Sequence, residues 1–318
     1  MVSPCDCNPI KCPLYEADAP EPPPVEKSAP SPEPMMSSKP VVTPSPVPPI
    51  EWAVGVMTCR DRVTSPLLTR TLESLRVGGF DRVRLFADGC RESDVPDSLR
   101  SAHEVTCRFP KILLHGNWTL TLLELYVRQP HADRFAIFQD DLVCSRSLRA
   151  YLDTLQFPSD GYWNLYTCRG NGLGGGNYQE GTGLTGPFPG APKGHVGWYP
   201  SNQRGWGALA LVFDREAATQ MMISPHMIDR PRNPIRGWRA VDGGVVDSMR
   251  KAGRKELVHA PSLVQHTGRI SAMDKSQPSD GRDDDFPRFT WPDGHPVAYS
   301  DTFSGEDFDL MSLVPATR

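Results

Sequence analysis

Two adjacent carboxylates, Asp140 and Asp141, follow the apolar run 135–138 with only Gln139 between them. Four consecutive apolar residues, two of them aromatic and one β-branched, predict a strand that is buried on both faces. In open α/β sheets, ligands bind beyond the carboxyl ends of strands, so both side chains are candidates for a site. Magnesium and manganese take carboxylate oxygens and share phosphate oxygens, which predicts a divalent ion with a diphosphate. The alternative is that one carboxylate only caps a helix over 145–155.

Composition divides the chain into a proline-rich start and a folded remainder. Fifteen of the 33 prolines precede Glu51, and this stretch has too little apolar surface to fold, so 1–49 is predicted to be a disordered tail. The predicted single domain covers 50–270, and a polar extension over 271–318 packs on it or trails from it.

Charge and hydropathy exclude some classes of partner. The net charge of −4 provides no overall basic surface for nucleic acid, and no run of about 18 apolar residues predicts a membrane span. Because the first residues also lack the features of a signal peptide, we expect a cytoplasmic protein.

The eight cysteines fall into two groups. Five are scattered singly through the predicted domain without framework spacing, so we expect reduced thiols that pack as small hydrophobic groups. Cys5, Cys7 and Cys12 lie together near the start. They could bind a metal with a fourth ligand from elsewhere, or they could be incidental thiols of a tail, and the sequence leaves both open.

Strand and helix patterns alternate from Trp52 onward. Strands are predicted at 52–57, 83–87, 105–109, 135–138, 162–167, 208–214 and 257–268, and helices at 66–77, 117–129, 145–155, 215–222 and 241–253. This alternation predicts an α/β fold with a mostly parallel, Rossmann-like sheet flanked by helices. Strand-end loops of such a sheet would bring Arg60, Asp88 and the Asp140–Asp141 pair to one edge. Asn117 is predicted to cap its helix.

Glycine is concentrated in two later segments. Eleven of the 27 glycines fall between Arg169 and Gly197, where no strand or helix is predicted. A loop of this length favours a mobile lid over a site, with a plain surface loop as the alternative. Gly205, Trp206 and Gly207 then lead into a buried strand, and glycine is typical where backbone approaches a ligand closely.

In chain order, these motifs resemble those of the GT-A class of nucleotide-sugar glycosyltransferases over about 52–268. Members of that class share a metal-binding acidic triplet, a glycine loop, an acidic catalytic motif and a late metal-binding histidine. The matching segments are Gln139-Asp140-Asp141, Gly205-Trp206-Gly207, Val241-Asp242 and His266. FQDD and PSLVQHTG are most similar to segments of the branching N-acetylglucosaminyltransferases. Two positions depart from the pattern: Gln139 replaces an acid, and Asp242 is a single carboxylate where many members have two.

The resemblance implies a GT-A-like domain that transfers a sugar from a nucleoside-diphosphate sugar, first of all a UDP-sugar, to a hydroxyl of a glycan, protein or small molecule. It implies Mn²⁺ or Mg²⁺ as cofactor, held by Asp141 and His266. The predicted donor-binding residues are Arg60, Asp88, Asn117, Asp140, Gly205, Trp206 and Gly207.

The chemistry of such a transfer leads to the same assignment. A departing diphosphate develops negative charge that a divalent ion neutralises, and an attacking hydroxyl needs a positioned base. Asp242, at the predicted start of a helix, is the first candidate for this base, and Asp247 is the second. A single Asp base favours direct displacement with inversion.

Two other classes remain open at this point. A nucleotidyltransferase that makes a nucleotide sugar would need a glycine-rich basic loop after its first strand, and 58–66 has arginines but no glycine. A non-catalytic module that binds a sugar or nucleotide is the second alternative, because Gln139 replaces an acid.

Overall fold

The computed structural model describes residues 48–172, 194–205, 207–228, 241–267, 300 and 302–315. The strands of these ranges are β1 (Trp52–Cys59), β2 (Arg84–Asp88), β3 (Glu104–Arg108), β4 (Arg134–Gln139), β5 (Leu142–Cys144), β6 (Gly161–Asn164), β7 (Gly197–Pro200), β8 (Ala210–Asp214), β9 (Lys255–Ala260) and β10 (Val264–His266). The helices are α1 (Pro66–Val77), α2 (Asp97–Ala102), α3 (Leu113–Arg128), α4 (Leu148–Asp153), α5 (Arg169–Gly172), α6 (Arg215–Met222), α7 (Pro225–Ile228) and α8 (Val241–Lys251), with 3-10 turns at Glu92–Asp94 and Leu310–Leu313.

Eight strands form one mixed sheet in the order β3-β2-β1-β4-β8-β6-β9-β7. The first four are parallel, β8 runs antiparallel to both β4 and β6, β9 is parallel to β6, and β7 is antiparallel to β9. A separate antiparallel pair joins β5 to β10. The predicted α/β class with a sheet flanked by helices is confirmed, and parallel pairing dominates only in the first half of the sheet.

Strand β4 is buried on both faces, as the apolar run predicts. Phe135 and Ile137 pack in the cluster under α3, α6 and α8, whereas Ala136 and Phe138 pack in the cluster on the opposite face. Burying each large side chain contributes about 1.5–3 kcal/mol, so both faces hold this strand firmly. The turn that follows β4 carries the two carboxylates, and its first residue is therefore held in position by the packing of the strand.

Two helices were predicted with their observed bounds, namely α1 and α6. The helix predicted over 145–155 spans only Leu148–Asp153. Ser147 is its N-cap residue, and β5 lies between it and the carboxylate pair, so neither Asp140 nor Asp141 caps it. The strand predicted over 162–167 ends at Asn164. The single strand predicted over 257–268 is two strands, interrupted at Pro261.

The start of α3 corrects another prediction. Asn117 lies inside this helix rather than at its N-cap. The first amides of the helix are instead bound by Asp88 from the end of β2, whose two carboxylate oxygens accept from Ile112 N and Leu113 N, each at 2.8 Å. A cap provided by a different strand leaves no local sequence signal.

The segment after Arg169 was predicted to lack helix and strand, which is wrong at α5 and at β7. Most of the predicted lid over 169–197, namely 173–193, lies outside the described residues. The same holds for 1–47 of the predicted tail over 1–49, which include Cys5, Cys7 and Cys12. The five described cysteines form no disulfide. Among the described helices, none combines the length and apolar character needed to cross a bilayer.

The described part of the C-terminal extension packs on the sheet and its helices. Leu310 is fully buried in the core cluster of β4 and α4. Ser145 Oγ donates to Gly305 O at 3.0 Å, and Arg146 N donates to Glu306 O at 3.1 Å. Residues 302–315 thus form part of the folded body, while the domain boundary at 270 stays a prediction.

Candidate active site

Asp140 and Asp141 form the turn between β4 and β5, and both are buried. Thr58 Oγ1, at the end of neighbouring β1, donates to Asp140 Oδ2 at 2.6 Å. Arg62 Nη1 donates to both carboxylates, to Asp140 Oδ1 at 2.7 Å and to Asp141 Oδ2 at 2.5 Å. A single buried guanidinium therefore joins the carboxylate pair.

His266 also lies beside Asp141. The pairing of β10 with β5 sets His266 opposite Leu142, and Thr267 N donates to Asp141 O at 2.7 Å. His266 Nε2 is 3.3 Å from Asp141 Oδ2. The strand pair thus brings together two predicted metal ligands that are far apart in sequence.

The two carboxyls of the pair differ in proton affinity. Burial raises the pKa of Asp140, and the neighbouring charge of Asp141 adds to this effect. Burial acts in the same direction on Asp141, but hydrogen bonds and charges from His266 and Arg62 outweigh it and lower its pKa to about 2. Asp141 is therefore the carboxylate of the pair that stays charged.

The described residues contain no group of three or more His, Cys, Asp or Glu side chains placed to hold a metal ion. Asp141 and His266 nevertheless form a pair of suitable donors. Asp141 Oδ1 is buried without a hydrogen-bond partner in the described ranges, which is unusual for a carboxylate oxygen. Magnesium and manganese are commonly bound by one or two protein ligands together with substrate phosphates and water, so the residues present fit such an ion.

Gln139 has a structural role that explains its departure from an acidic triplet. Its Nε2 donates to Ala208 O at 3.1 Å, and its backbone N donates to Leu209 O at 2.9 Å. A carboxylate at this position would face a carbonyl oxygen with no proton to share. The amide at 139 therefore joins the end of β4 to the loop before β8.

The glycine loop holds Asp242 in place. Gly207 N donates to Asp242 Oδ2 at 2.7 Å. Both Gly205 and Gly207 have positive φ, at +69° and +74°. A Cβ on Gly205 would lie 2.5 Å from Asp242 O, and one on Gly207 would lie 2.5 Å from Tyr166 Cδ1, so no other residue fits without displacing the loop. Trp206 lies outside the described residues.

Glu256 is a second buried carboxyl near Asp242, and sequence reasoning missed it. Its Oε1 accepts from Tyr162 Oη at 3.3 Å and from Asn164 Nδ2 at 3.0 Å. Asn164 Nδ2 also lies 3.2 Å from Gly207 O, so a chain of hydrogen bonds links Glu256 to the glycine loop. An acidic residue at a buried position of β9 was the signal that could have identified it.

Burial dominates the proton affinities around Asp242. It raises the pKa of Asp242 against the opposing effect of the Gly207 and Ala208 amides. It also raises the pKa of Glu256 to about 7, with a smaller contribution from the charge of Asp242. Both carboxyls therefore bind protons more tightly than exposed carboxyls do.

Two predicted donor-binding residues, Asp88 and Asn117, are engaged within the protein. Both are buried, and each binds backbone at the ends of β2 and α3. Asn117 Nδ2 donates to Phe86 O at 3.1 Å, and its Oδ1 accepts from Arg108 at 2.9 Å. Their direct roles in donor binding stay predictions, and the structure indicates that they position the strand ends.

Two other candidates lie toward solvent. The Arg60 side chain is 63% exposed and is 3.5 Å from Asp94 Oδ1, so the structure brings Arg62 rather than Arg60 to the carboxylate pair. Asp247 is half-exposed on α8 and forms ion pairs with Lys251 at 2.7 Å and Arg250 at 2.8 Å. These pairs lower the pKa of Asp247, in contrast to Asp242.

No protein-family model matches the chain, and no curated protein sequence matches it. Some solved structures, in contrast, are similar to it. GalNAc-T7, solved with UDP, GalNAc and Mn²⁺, is similar over 70% of this chain and 45% of that chain, with a TM-score of 0.50 at 11% identity.

The fold is that of the GT-A glycosyltransferases. The chain spans less than half the length of the GalNAc-T7 chain. The mannosyltransferase PcManGT from Pyrobaculum calidifontis, in complex with GDP-Man and Mn²⁺, is similar over 70% of this chain and 59% of that chain (TM-score 0.41, 12% identity). A nucleoside-diphosphate-sugar pyrophosphorylase from Vibrio cholerae RC9 is similar over 67% of this chain and 95% of that chain (TM-score 0.35, 12% identity). In this GT-A fold, the parallel strands β1 and β4 both end beside the carboxylate pair.

Proposed function

We propose that this chain is a metal-dependent glycosyltransferase that moves a sugar from a nucleoside-diphosphate sugar to an acceptor hydroxyl of a glycan, protein or small molecule. The observation that carries the proposal is Asp141 on a GT-A fold: a buried, charged carboxylate beside His266, with one oxygen that no described group binds. UDP-sugars are the first donors to test, because the motifs resemble those of the branching N-acetylglucosaminyltransferases.

Asp141 and His266 would hold Mn²⁺ or Mg²⁺, which, when bound, supplies positive charge to a departing diphosphate. The carboxylate of Asp141 and the imidazole of His266, whose Nε2 faces Asp141, would be its protein ligands. The remaining positions are left for phosphate oxygens and water.

Asp242 is the proposed base. The amide of Gly207 holds one of its oxygens at 2.7 Å, which sets the orientation of the carboxylate, and the residue is partly exposed. Its raised pKa makes it a better proton acceptor than a fully hydrated carboxylate. A single base next to the donor site supports direct displacement with inversion at the anomeric carbon.

The test is release of nucleoside diphosphate from a panel of UDP- and GDP-sugars with Mn²⁺, with and without acceptor sugars. We expect release with at least one donor, loss of release in EDTA, and loss in the Asp141→Ala variant. NMR of the product then assigns the anomeric configuration. A thermal shift with nucleotide and metal but no release would instead support a binding module. Pyrophosphate release from a nucleoside triphosphate and a sugar phosphate would support a nucleotidyltransferase.

A further inference from the structure

Arg62 is a buried cation in direct contact with both members of the carboxylate pair. Its side chain is 11% exposed, and its Nη1 lies 2.7 Å from Asp140 Oδ1 and 2.5 Å from Asp141 Oδ2. Removing one partner from such a buried ion pair is strongly destabilising, because it leaves uncompensated charge. The protein alone thus already contains a positive charge where the proposed function requires a metal ion.

A second cation at the same carboxylate would meet this guanidinium. Asp141 Oδ2 is shared between Arg62 at 2.5 Å and His266 Nε2 at 3.3 Å, so an ion bound by Asp141 and His266 lies beside the arginine. Like charges at such distances repel strongly in a buried setting. Because the charged carboxylate of Asp141 is already in contact with a guanidinium, little net negative charge is left there to attract a divalent ion.

The local backbone allows Arg62 to change its partner. Arg62 N donates to Cys59 O at 2.8 Å, and Ser65 N donates to Arg62 O at 2.8 Å, so the main chain between β1 and α1 is held in a turn. The long side chain can then move while its backbone stays in place. A guanidinium binds phosphate oxygens with the same forked geometry as carboxylates.

We infer that Arg62 is a built-in counterion that competes with the metal, and that it makes metal binding depend on the nucleoside diphosphate. The diphosphate adds negative charge and offers the guanidinium a new partner, which removes the competing positive charge from Asp141 Oδ2. This inference rests on the proposed function, because it takes Asp141 and His266 as the metal ligands.

The test is Mn²⁺ binding measured by calorimetry on the full chain, with and without UDP. In wild type we expect Mn²⁺ to bind about 10–100-fold more tightly with UDP than without it, the range seen when groups around a metal ligand change. Arg62→Met should bind Mn²⁺ without UDP about 10–100-fold more tightly than wild type. The control Arg76→Met, at an exposed arginine of α1, should change Mn²⁺ affinity without UDP less than about twofold.

Thermal unfolding provides a second readout that does not use activity. In EDTA, Arg62→Met should melt about 6–15 °C below wild type, and saturating Mn²⁺ alone should restore most of this loss. Arg62→Lys keeps the positive charge but loses the two-pronged hydrogen bonding of the guanidinium. This variant should fold, and its Mn²⁺ affinity should lie between those of wild type and Arg62→Met.

The outcomes separate this inference from the proposed function. If Mn²⁺ alone binds wild type, Arg62→Lys and Arg62→Met equally well, the inference is overturned while the metal site stands. If neither wild type nor any Arg62 variant binds Mn²⁺ with or without UDP, the metal site itself is wrong and both fail. If Arg62→Met does not fold, equal Mn²⁺ affinity of wild type with and without UDP still overturns the inference.

Discussion

The candidate site has two halves, a proposed metal half and a proposed base half, which both contain buried carboxyl groups but surround them with different partners. The metal half contains Asp140, Asp141, Arg62 and His266, and its carboxylates contact a guanidinium and an imidazole. The base half contains Asp242, Glu256, Gly207 and Asn164, and its carboxyls contact amide and hydroxyl groups that carry no charge.

The surroundings shift the pKa of Asp141 in the opposite direction from those of Asp242 and Glu256. Contacts with His266 and Arg62 overcome burial and lower the pKa of Asp141 to about 2. Burial without a cation raises the pKa of Glu256 to about 7 and that of Asp242 above its usual range. The two halves therefore suit a metal ligand and a general base.

The largest expected effect concerns the base. Asp242→Asn should keep the bond from Gly207 N and the fold, but lower transfer by about 10²–10⁴-fold, because an amide cannot accept the proton of the acceptor. The measurement is kcat at saturating donor, so that an affinity change is not mistaken for a chemical one. Wild-type kcat in this variant would remove Asp242 from the mechanism.

The next effect concerns the metal. Asp141→Asn should lower the UDP-dependent affinity for Mn²⁺ by more than about 100-fold, because it removes a charged ligand and not merely a group around one. Asp140→Asn is the matched control and should lower it less. Calorimetry with UDP and Mn²⁺ measures both variants. Equal losses in the two would assign the metal to the pair rather than to Asp141.

A smaller effect is the pH dependence of stability that Glu256, in the base half, should produce. The pKa of Glu256 is about 7 in the folded protein against an ordinary 4.5, so its contribution to stability is full below pH 4.5 and is lost as pH rises to 7. The loss amounts to about 3 kcal/mol in the free energy of unfolding. Glutamine stays neutral, so Glu256→Gln should gain stability relative to wild type across this window. Urea unfolding at pH 5 and pH 8 measures it, and parallel behaviour of both proteins would contradict the raised pKa.

The smallest effect is at the surface of α8. Asp247→Asn breaks exposed ion pairs with Lys251 and Arg250, which contribute about 0.2–1 kcal/mol at most. Transfer should change less than about threefold, measured beside Asp242→Asn under the same conditions. A loss as large as that of Asp242→Asn would leave the base unassigned between the two residues.

Much of the local structure follows from the sequence alone. The bounds of α1 and α6, the buried strand before Asp140, and the chain order of the longer strands and helices follow from local patterns such as apolar periodicity. The short elements β5, β7, α2, α5 and α7 were not predicted. The position of the carboxylates at a strand end follows from the same pattern. These features depend on residues that are close in the chain, so local rules are sufficient to predict them.

The tertiary structure decided which groups these elements meet. Arg62 reaches the carboxylate pair across 78 and 79 residues, Glu256 reaches Asn164 across 92, and the carboxylate of Asp88 caps α3 across 24 and 25. Arg62 rather than Arg60 contacts the carboxylates because it lies on the side of the loop that faces the protein interior. The antiparallel direction of β8 depends on how the whole sheet packs. The sequence by itself determined which side chains are available for chemistry. Their partners, and with them the pKa of each carboxyl, were decided by contacts between distant segments, because burial and charge depend on what the folded chain places around a group.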